Sequence, residues 1–502
     1  MLKEQEKTPN KEGFNETSRY RSIFKATSLF GGVQAYQILV GVIKSKFIAL
    51  LLGPMGMGIQ GLYQTTLDLV KSVSAFGLES SAVRDISEAH SSGDCQRLVK
   101  VVAIVNRLVW ITGILGLLLT LIFSPLLSKI TFGNGDYTWG FIILSSTLLI
   151  NQICVGQKVV LQGVRKLKDL AKASAIGSTI GLIVSIPLYY WIGVKGIVPT
   201  MVLSALTAML LSWFYVNKLK LEKIEVTTNE SLRGGRTMLK MGVAMSISGI
   251  LVTMCAYVIR WFIRKEGGVE EVGLYTAGFL IVNTYVGMVF TAMGTDYYPR
   301  LAAVNKDNKK CQEIINQQGE VALLILGPII ISCIIAMPLL IRLVYSDKFL
   351  DANNYIMFAV SGILFKAVSW VVSYCFLAKA ESRLFILNET ITNLYFLGIY
   401  IFGYYIGGLS GLGIAFSFGY FLYTIQVYFI ARNRYKFSFS TSFLKVFVMQ
   451  MIFVCLCMII RMLCSSIWFT ILGIILLSLC IIYSVYSLNK RMGFVQLHKG
   501  TR

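Results

Sequence analysis

Residues 41–79 read GVIKSKFIALLLGPMGMGIQGLYQTTLDLVKSVSAFGLE, a stretch apolar enough to lie in a lipid bilayer that nevertheless holds five ionisable side chains. These side chains are Lys44, Lys46, Asp68, Lys71 and Glu79. An ionisable side chain at membrane depth costs about 3 kcal/mol on insertion scales unless it is paired or faces water. Five of them in one helical hairpin therefore predict an internal polar cavity, with the rest of the chain forming a wall around it.

The second helix of this hairpin presents one polar face. At about 100° per residue, Asp68, Lys71 and Glu79 share that face with small and hydroxyl residues. Asp68 and Lys71 are three residues apart in the sequence, so we predict that they can form an ion pair. Two interpretations of the pair stay open. It changes its charge state during function, together with Glu79, or it only fixes the packing of helices.

The two lysines of the first helix point in different directions. Lys44 and Lys46 lie about 200° apart around the helix, so at most one of them faces the cavity. Lys46 is nearer to the turn at Gly53, and its ammonium group can alternatively reach the membrane surface.

The composition is typical of a membrane protein. Of the 502 residues, 55% are hydrophobic and only 14% are charged, and the mean hydropathy of +0.68 is far too high for a soluble protein. We predict an all-α polytopic protein with fourteen transmembrane helices. Their expected bounds are 27–52, 60–79, 98–127, 139–163, 170–193, 196–217, 237–262, 273–297, 318–345, 354–378, 384–406, 409–431, 443–462 and 466–488.

The basic residues determine the predicted orientation. With the N-terminus in the cytoplasm, the loops and tails on the cytoplasmic side carry 34 Lys and Arg, and the loops on the other side carry 8. The positive-inside rule therefore predicts that both termini are cytoplasmic. The net charge of +22 then faces anionic lipid headgroups and needs no nucleic-acid partner.

The chain has no pattern for a cofactor, a metal ion or direct use of ATP. Its ten cysteines form no CxxC pair, its two histidines are His90 and His498, and it has no G-x-x-x-x-G-K-[ST] loop. The polar residues 1–22 lack the apolar core of a signal peptide, so we expect no cleaved leader.

An internal repeat divides the chain into two similar halves. The segment PLLSKITF at 125–132 is echoed by PLLIRLVY at 338–345, 213 residues later, and YWIG at 190–193 is echoed by YYIG at 404–407, 214 residues later. Because each half has an even number of helices, both enter the membrane in the same direction, and a site is expected at their interface. The predicted divisions are an N-terminal tail, an N-lobe, a cytoplasmic linker, a C-lobe, two additional helices and a C-terminal tail: 1–24, 25–217, 218–236, 237–432, 433–489 and 490–502.

Further charged side chains fall at membrane depth. Arg107 lies ten residues past Arg97, and it is either a second cavity residue or the partner of a carboxylate or carbonyl group on a neighbouring helix. Arg260 is expected at the outer end of the seventh helix, in a cluster with two further basic residues. Lys366 lies within the tenth predicted helix, and Glu389 lies shortly inside the eleventh.

Two stretches carry a family resemblance. The first is KFIALLLGPMGMG at 46–58, and the second runs from Lys348 through Lys366 to LAKAESRLFILNE at 377–389. Both resemble the Wzx-type flippases of lipid-linked oligosaccharides, in the polysaccharide-transport branch of the MOP exporter superfamily. The resemblance covers about residues 25–435. It implies two six-helix lobes in a V shape around a cationic central cavity, and it implies that the family has the same residue types at five positions: Lys46, Lys366, Lys379, Arg383 and Glu389.

We therefore predict a flippase that moves an undecaprenyl-diphosphate-linked oligosaccharide, an O-antigen or related repeat unit, across the bacterial inner membrane by alternating access. Lys and Arg in the cavity lower the barrier for the anionic diphosphate. The expected substrate-binding residues are Lys44, Lys46, Arg107, Arg260, Lys366, Lys379 and Arg383. The expected coupling or gating residues are Asp68, Lys71, Glu79 and Glu389. Besides the lipid-linked glycan, the expected partners are membrane lipids, a polysaccharide polymerase and a chain-length regulator.

Two other functions fit the sequence less well. A cation-coupled multidrug exporter of the same superfamily should line its cavity with acidic and aromatic residues, whereas five Lys or Arg and three acidic residues lie at membrane depth here. A polysaccharide polymerase or ligase should hold its catalytic groups in a large external loop, but no predicted external loop much exceeds about fifteen residues. We therefore predict a transporter and not an enzyme.

Overall fold

The computed structural model describes residues 11–222, 224 and 226–492, and within these residues the chain is helical and has no β-strand. The α-helices are α1 (Lys11–Ser74), α2 (Leu78–Ser91), α3 (Cys95–Phe132), α4 (Thr138–Gly163), α5 (Leu167–Ile192), α6 (Ile197–Asn217), α7 (Thr228–Gly234), α8 (Arg236–Phe279), α9 (Met288–Ala303), α10 (Asn308–Val344), α11 (Ala352–Ser361), α12 (Ile363–Ala378), α13 (Ser382–Tyr435), α14 (Thr441–Leu463) and α15 (Ser466–Met492). Of the predicted tails, residues 1–10 and 493–502 lie outside the described residues.

Glycine turns fold several long helical segments back on themselves. Within the described chain, nine helical segments are long and apolar enough to span a membrane, and α11 and α12, bent by 49°, together make a tenth. Four of the nine are 43 to 55 residues long, whereas about 20 residues span a bilayer. Each of these four is broken at a glycine with a positive φ angle, which other residues rarely adopt: Gly53, Gly193, Gly268 and Gly408. Each supplies two crossings, so the described chain contains the fourteen predicted spans.

The connections between spans lie at two opposite ends of the bundle. We name one the turn end, because it holds these four glycine turns, and the other the linker end, because it holds the connection between α6 and α7. Exposed aromatic side chains gather near the turn end, as is typical of a lipid–water interface: Trp139, Tyr190, Trp191 and Tyr405. Near the linker end, Lys218 Nζ lies 4.3 Å from the ring of the exposed Phe214.

The N-lobe contains α1 to α6 and the C-lobe contains α8 to α13, and the two lobes share one hydrophobic core near the turn end. This core packs Ile48 of the N-lobe with Ile263 and Tyr345 of the C-lobe. Toward the linker end the cores are separate, one mainly in α2 to α4 and the other in α9, α10, α12 and α13. The lobes therefore diverge into the predicted V shape, bridged on one side by the first half of α8, where Gly242 packs against Gly77.

At the turn end the two lobes cross through a pair of reciprocal glycine contacts. A Cβ atom on Gly58 would strike the carbonyl oxygen of Val269, and a Cβ atom on Gly273 would strike the carbonyl oxygen of Pro54. Only glycine allows the backbones to approach this closely. Gly58 and Gly273 are 215 residues apart, and so are Pro54 and Val269, which makes the crossing two-fold symmetric, as the internal repeat predicts.

The last two helices, α14 and α15, pack on the C-lobe against α10. Arg491 Nε lies 2.6 Å from Glu320 Oε2, and Gln450 Nε2 donates to Ser484 Oγ at 3.0 Å. A glycine of α10, Gly327, leaves room for the Gln450 amide. These helices thus form an appendage on the C-lobe.

The charge distribution predicts which end of the bundle faces the cytoplasm. We expect a reporter inserted after Leu221, in the linker, to be cytoplasmic and a reporter inserted near Gly267, at the turn end, to be external. Alkaline phosphatase and green fluorescent protein fusions measure this, because each is active on only one side of a bacterial inner membrane. The reverse pattern of activity would contradict the predicted orientation.

Candidate functional site

Within the C-lobe, aromatic rings enclose a single lysine. Lys366 lies in the first turn of α12, directly after the bend at Gly362, and its Nζ donates to Asn283 Oδ1 at 2.8 Å. Three aromatic rings have their centres 5.4–5.9 Å from this Nζ: Phe290, Phe416 and Tyr420. Among the described residues, no carboxylate lies within ion-pair distance of the ammonium. The charge of Lys366 therefore has cation–π partners but no counter-ion.

A short π-helix presents Asn283 to Lys366. The segment Leu280–Tyr285, between α8 and α9, is π-helical, a distortion that is frequent at functional sites. The Asn283 amide nitrogen is buried and has no hydrogen-bond partner in the described structure. A buried donor without an acceptor is destabilising. The ammonium of Lys366 and the amide of Asn283 together are therefore suited to bind an anion or another acceptor.

A second buried cation lies on α8, where the lobes meet. Arg260 is 7% exposed, and its guanidinium lies 5.4 Å from the Tyr275 ring and 5.3 Å from the Phe279 ring. Its Nη1 donates to Ala256 O at 3.2 Å, while its Nε is buried without a partner among the described atoms. The Asp68 carboxylate of the N-lobe interacts electrostatically with this guanidinium. Arg260 therefore keeps one donor for a ligand.

The expected cluster of basic residues around Arg260 is separated in the structure. Arg264 donates to carbonyl oxygens at the end of α3, and Lys265 is exposed beside Glu266. The expectation was wrong because the three side chains point to different neighbours, which sequence proximity does not reveal.

A polar pocket of about 290 Å³ lies inside the N-lobe, between α1, α4 and α6. Three predicted residues, Lys44, Asp68 and Lys71, line it together. Asp68 Oδ1 accepts a hydrogen bond from Gln64 Nε2 at 3.0 Å. Two lining oxygen atoms are buried without a partner in the described structure: Gln60 Oε1 and Ser204 Oγ. Such atoms indicate room for water or a small polar group.

The polar face of the first hairpin is shorter than predicted. Asp68 and Lys71 line the same pocket, but in the described structure they form no ion pair, and Gln64 bonds to the carboxylate instead. Glu79 lies beyond the end of α1, after a turn at Gly77 with a positive φ angle, and is exposed in the first turn of α2. The predicted alignment failed because helical periodicity applies only within one continuous helix.

Of the two lysines in the first helix, Lys44 faces the pocket and Lys46 does not. Lys46 Nζ donates to the carbonyl oxygens of Arg342 and Tyr345 at 2.9 and 2.6 Å, at the end of α10. Its depth in the helix was predicted, but its contact with another helix end was not.

Arg107 lies on an exposed side of α3 and contacts the linker. Its Nη2 donates to Thr228 Oγ1 at 3.0 Å, in the first turn of α7. That turn is closed by Thr227 and Glu230, whose side chains each bond to the backbone N–H of the other. The hydrogen bonds from Thr227 hold the pKa of the Glu230 carboxyl below its ordinary value. Arg107 thus fastens the linker to the N-lobe, and it is not the cavity residue that its depth predicted.

Three further predicted residues belong to α12 and α13. Lys379 Nζ donates to Asn305 O at 2.5 Å, so it joins α12 to the turn after α9. Arg383 is exposed at the start of α13. Glu389 Oε1 accepts a hydrogen bond from Tyr423 OH at 2.9 Å, inside the C-lobe. In the described structure, none of the three lines the N-lobe pocket or bonds to Lys366.

Sequence reasoning missed the neutral members of these sites. Asn283, Gln60 and Gln64 carry no charge, so depth and charge did not mark them. The lone asparagine in the apolar run LIVNTY was the available signal, since a polar side chain at membrane depth usually has a function or a partner. The described residues contain no group of three or more His, Cys, Asp or Glu that could hold a metal ion.

The chain is similar to proteins that handle polysaccharide precursors. Residues 47–354, more than half of the chain, match the family described as polysaccharide biosynthesis protein. The lipid III flippases of Escherichia coli (strain K12) and Shigella flexneri are each 21% identical over 381 residues, which cover 73% of this chain and 88% of the flippase.

Two solved structures share the fold. A multidrug resistance MATE family transporter of the MOP superfamily, in an inward-facing conformation, aligns with a TM-score of 0.68 at 16% identity and covers 80% of this chain and 94% of the transporter. The lipid II flippase MurJ, in an inward closed conformation, aligns with a TM-score of 0.68 at 13% identity and covers 93% and 99%. The described chain therefore has the fold of MOP superfamily transporters.

Proposed function

This chain belongs to the polysaccharide biosynthesis protein family, and on that premise we propose that it is a flippase of lipid-linked glycans. The proposed substrate is an undecaprenyl-diphosphate-linked oligosaccharide, an O-antigen or related repeat unit, which crosses the bacterial inner membrane. Relatives in sequence and in structure are named as lipid III and lipid II flippases, and they are transporters, not enzymes.

The Lys366 site carries this proposal. It combines an ammonium without a counter-ion and a buried amide donor without an acceptor. A diphosphate would supply the missing charge and the missing acceptor together. Arg260 offers a second donor nearby, because its guanidinium lies against Phe279, one helical turn before Asn283.

The V shape offers separate routes to the two parts of such a substrate. The charged diphosphate and the sugars can stay between the lobes, while the prenyl chain stays in the lipid, where apolar groups are stable. With the linker end in the cytoplasm, the described form is open toward the cytoplasm and closed at the turn end. Closing the linker end and opening the turn end would complete an alternating-access cycle.

A cation-coupled multidrug exporter is the second candidate, because a MATE transporter shares the fold. Such a protein should offer carboxylates to a cationic drug. Lys366 and Arg260 instead offer positive charge and free donors, which favour an anionic substrate.

Transport in reconstituted vesicles tests the proposal. Purified protein should speed the exchange of a fluorescent undecaprenyl-diphosphate oligosaccharide between leaflets, measured as the fraction that a membrane-impermeant quencher can reach. A fluorescent phosphatidylcholine in the same vesicles is the control and should not exchange faster. Vesicles that accumulate a cationic dye but do not move the oligosaccharide would reject the flippase and favour the exporter.

Asp68 and Lys71 allow charge coupling to be separated from stability. Asp68→Asn alone leaves two lysines of the N-lobe pocket without a carboxylate, so we expect a loss of about 3–5 kcal/mol where the site is buried. The double variant Asp68→Asn, Lys71→Gln lowers that imbalance and should insert normally. If the charges couple transport to an ion gradient, its flipping rate should still fall about tenfold or more. Full activity of the double variant would show that the charges only stabilise the lobe.

A further inference from the structure

At the turn end, a basic side chain of the C-lobe reaches a helix end of the N-lobe. Arg264 of α8 donates from Nε to Thr131 O at 2.9 Å and from Nη2 to Ile130 O at 2.6 Å. These carbonyl groups belong to the last turn of α3. Gly133, directly after α3, leaves the space for the guanidinium, since a Cβ atom there would come within 2.7 Å of Arg264 Nη1.

A basic side chain of the N-lobe makes the opposite contact. Lys46 of α1 donates to Arg342 O and Tyr345 O, at the end of α10 in the C-lobe. The last carbonyl groups of a helix have no partner within the helix and carry the negative end of its dipole. Both cations are therefore placed where a helix end of the other lobe favours positive charge.

The internal repeat relates these two contacts. The acceptors lie at the ends of PLLSKITF (125–132) and PLLIRLVY (338–345), the segments that first revealed the repeat. The donors lie on the first helix of each half. Each lobe thus gives one cation to the third span of the other lobe, and the Gly58 and Gly273 crossing lies at the same end.

We propose that the Lys46 and Arg264 contacts are paired clasps, which hold the turn end closed and release together when the lobes part there. The lobes cannot separate at this end while either cation stays on the helix end of the other lobe. Because the two contacts join the same two bodies, loosening one allows both helix ends to move. The clasps act on the lobes themselves, so the proposal goes beyond the choice of substrate and is testable without any glycan.

Hydrogen exchange on the full-length protein in lipid nanodiscs tests the clasps. Lys46→Gln should speed exchange about tenfold in peptides 342–351, next to its own contact, and should also speed exchange in peptides 129–138, next to the Arg264 contact. Arg264→Gln should produce the converse pair of changes. Arg264→Lys keeps a cation and should leave peptides 342–351 unchanged.

A matched control removes another cation from the same end. The Arg342 side chain is exposed and pairs with Asp347, so Arg342→Gln should leave peptides 129–138 unchanged. If Lys46→Gln affects only its own helix end, or if Arg342→Gln affects both ends equally, the clasps do not act as a pair and the proposal is overturned.

A disulfide across the lobes provides a second test. A Cβ atom on Gly61 would lie 3.7 Å from the Thr276 Cβ, which suits a disulfide. In the Gly61→Cys, Thr276→Cys protein, oxidation should cancel the faster exchange caused by Lys46→Gln and Arg264→Gln, and reduction should restore it. Wild-type protein with the same oxidant controls for the ten native cysteines. Exchange that stays fast after confirmed cross-linking would mean local fraying and would reject the clasps. If the double variant does not accumulate in cells, the single variants carry this test.

Discussion

Replacing Lys366 with alanine should abolish movement of the lipid-linked glycan while the protein stays in the membrane at its native level. The substitution removes the uncompensated charge that faces Asn283 and three aromatic rings. A hydrogen bond to a charged group contributes about 1.5–3 kcal/mol, so we expect the flipping rate to fall about ten- to hundredfold. Lys366→Arg should retain part of the activity, because it keeps the charge but presents a larger, planar group.

The matched control for Lys366 is Lys265→Ala. Lys265 is an exposed lysine at the turn end, and its loss should leave transport unchanged. The measurement is the vesicle assay described above, together with complementation of surface polysaccharide in cells. Normal transport by Lys366→Ala at native expression would remove this lysine from the site.

Gly273→Ala should prevent the lobes from closing at the turn end. The added methyl group would strike the Pro54 carbonyl oxygen, a backbone atom that cannot turn away as a side chain could. Overpacking of this kind costs about 1–3 kcal/mol, and more where backbone must shift. We expect lower resistance to denaturant in detergent and a loss of transport, because a flippase that cannot close one end cannot alternate.

Gly249→Ala is the control for this substitution. Gly249 lies in the same helix, and a Cβ atom there would meet nothing within 4 Å. Alanine favours a helix over glycine by about 1 kcal/mol, so this variant should be as stable as the natural protein or more so. Equal stability and activity of the two variants would contradict the close crossing.

The spans and the division into lobes were predictable because they depend on properties that add up along the sequence. Fourteen apolar segments and an offset repeat are visible without any tertiary contact. The largest error in a boundary concerns the second span, predicted at 60–79, because the glycines after Gly53 look like a loop. In the structure they are helical, since Gly58 is needed where the lobes cross.

The contacts of the charged residues were much less predictable. Sequence spacing gives the direction of a side chain on its own helix, but the neighbouring helix decides what the side chain meets. Lys44 and Lys46 illustrate this, because one lines a polar pocket and the other bonds to the end of a helix almost 300 residues away. Asn283 was hidden for another reason: the π-helix that presents it is a local distortion without a sequence period.

The contacts of Lys46 and Arg264 also have a consequence for the order of events during synthesis. Arg264 follows Thr131 by 133 residues, whereas the acceptors of Lys46 follow it by 296 and 299 residues. At about 5–20 residues per second, the Lys46 ammonium is made roughly 15–60 s before its acceptors. Until then it can satisfy its charge only at the water interface, which its flexible stem allows. The first hairpin of the chain to enter the membrane is therefore among the last to reach its final contacts.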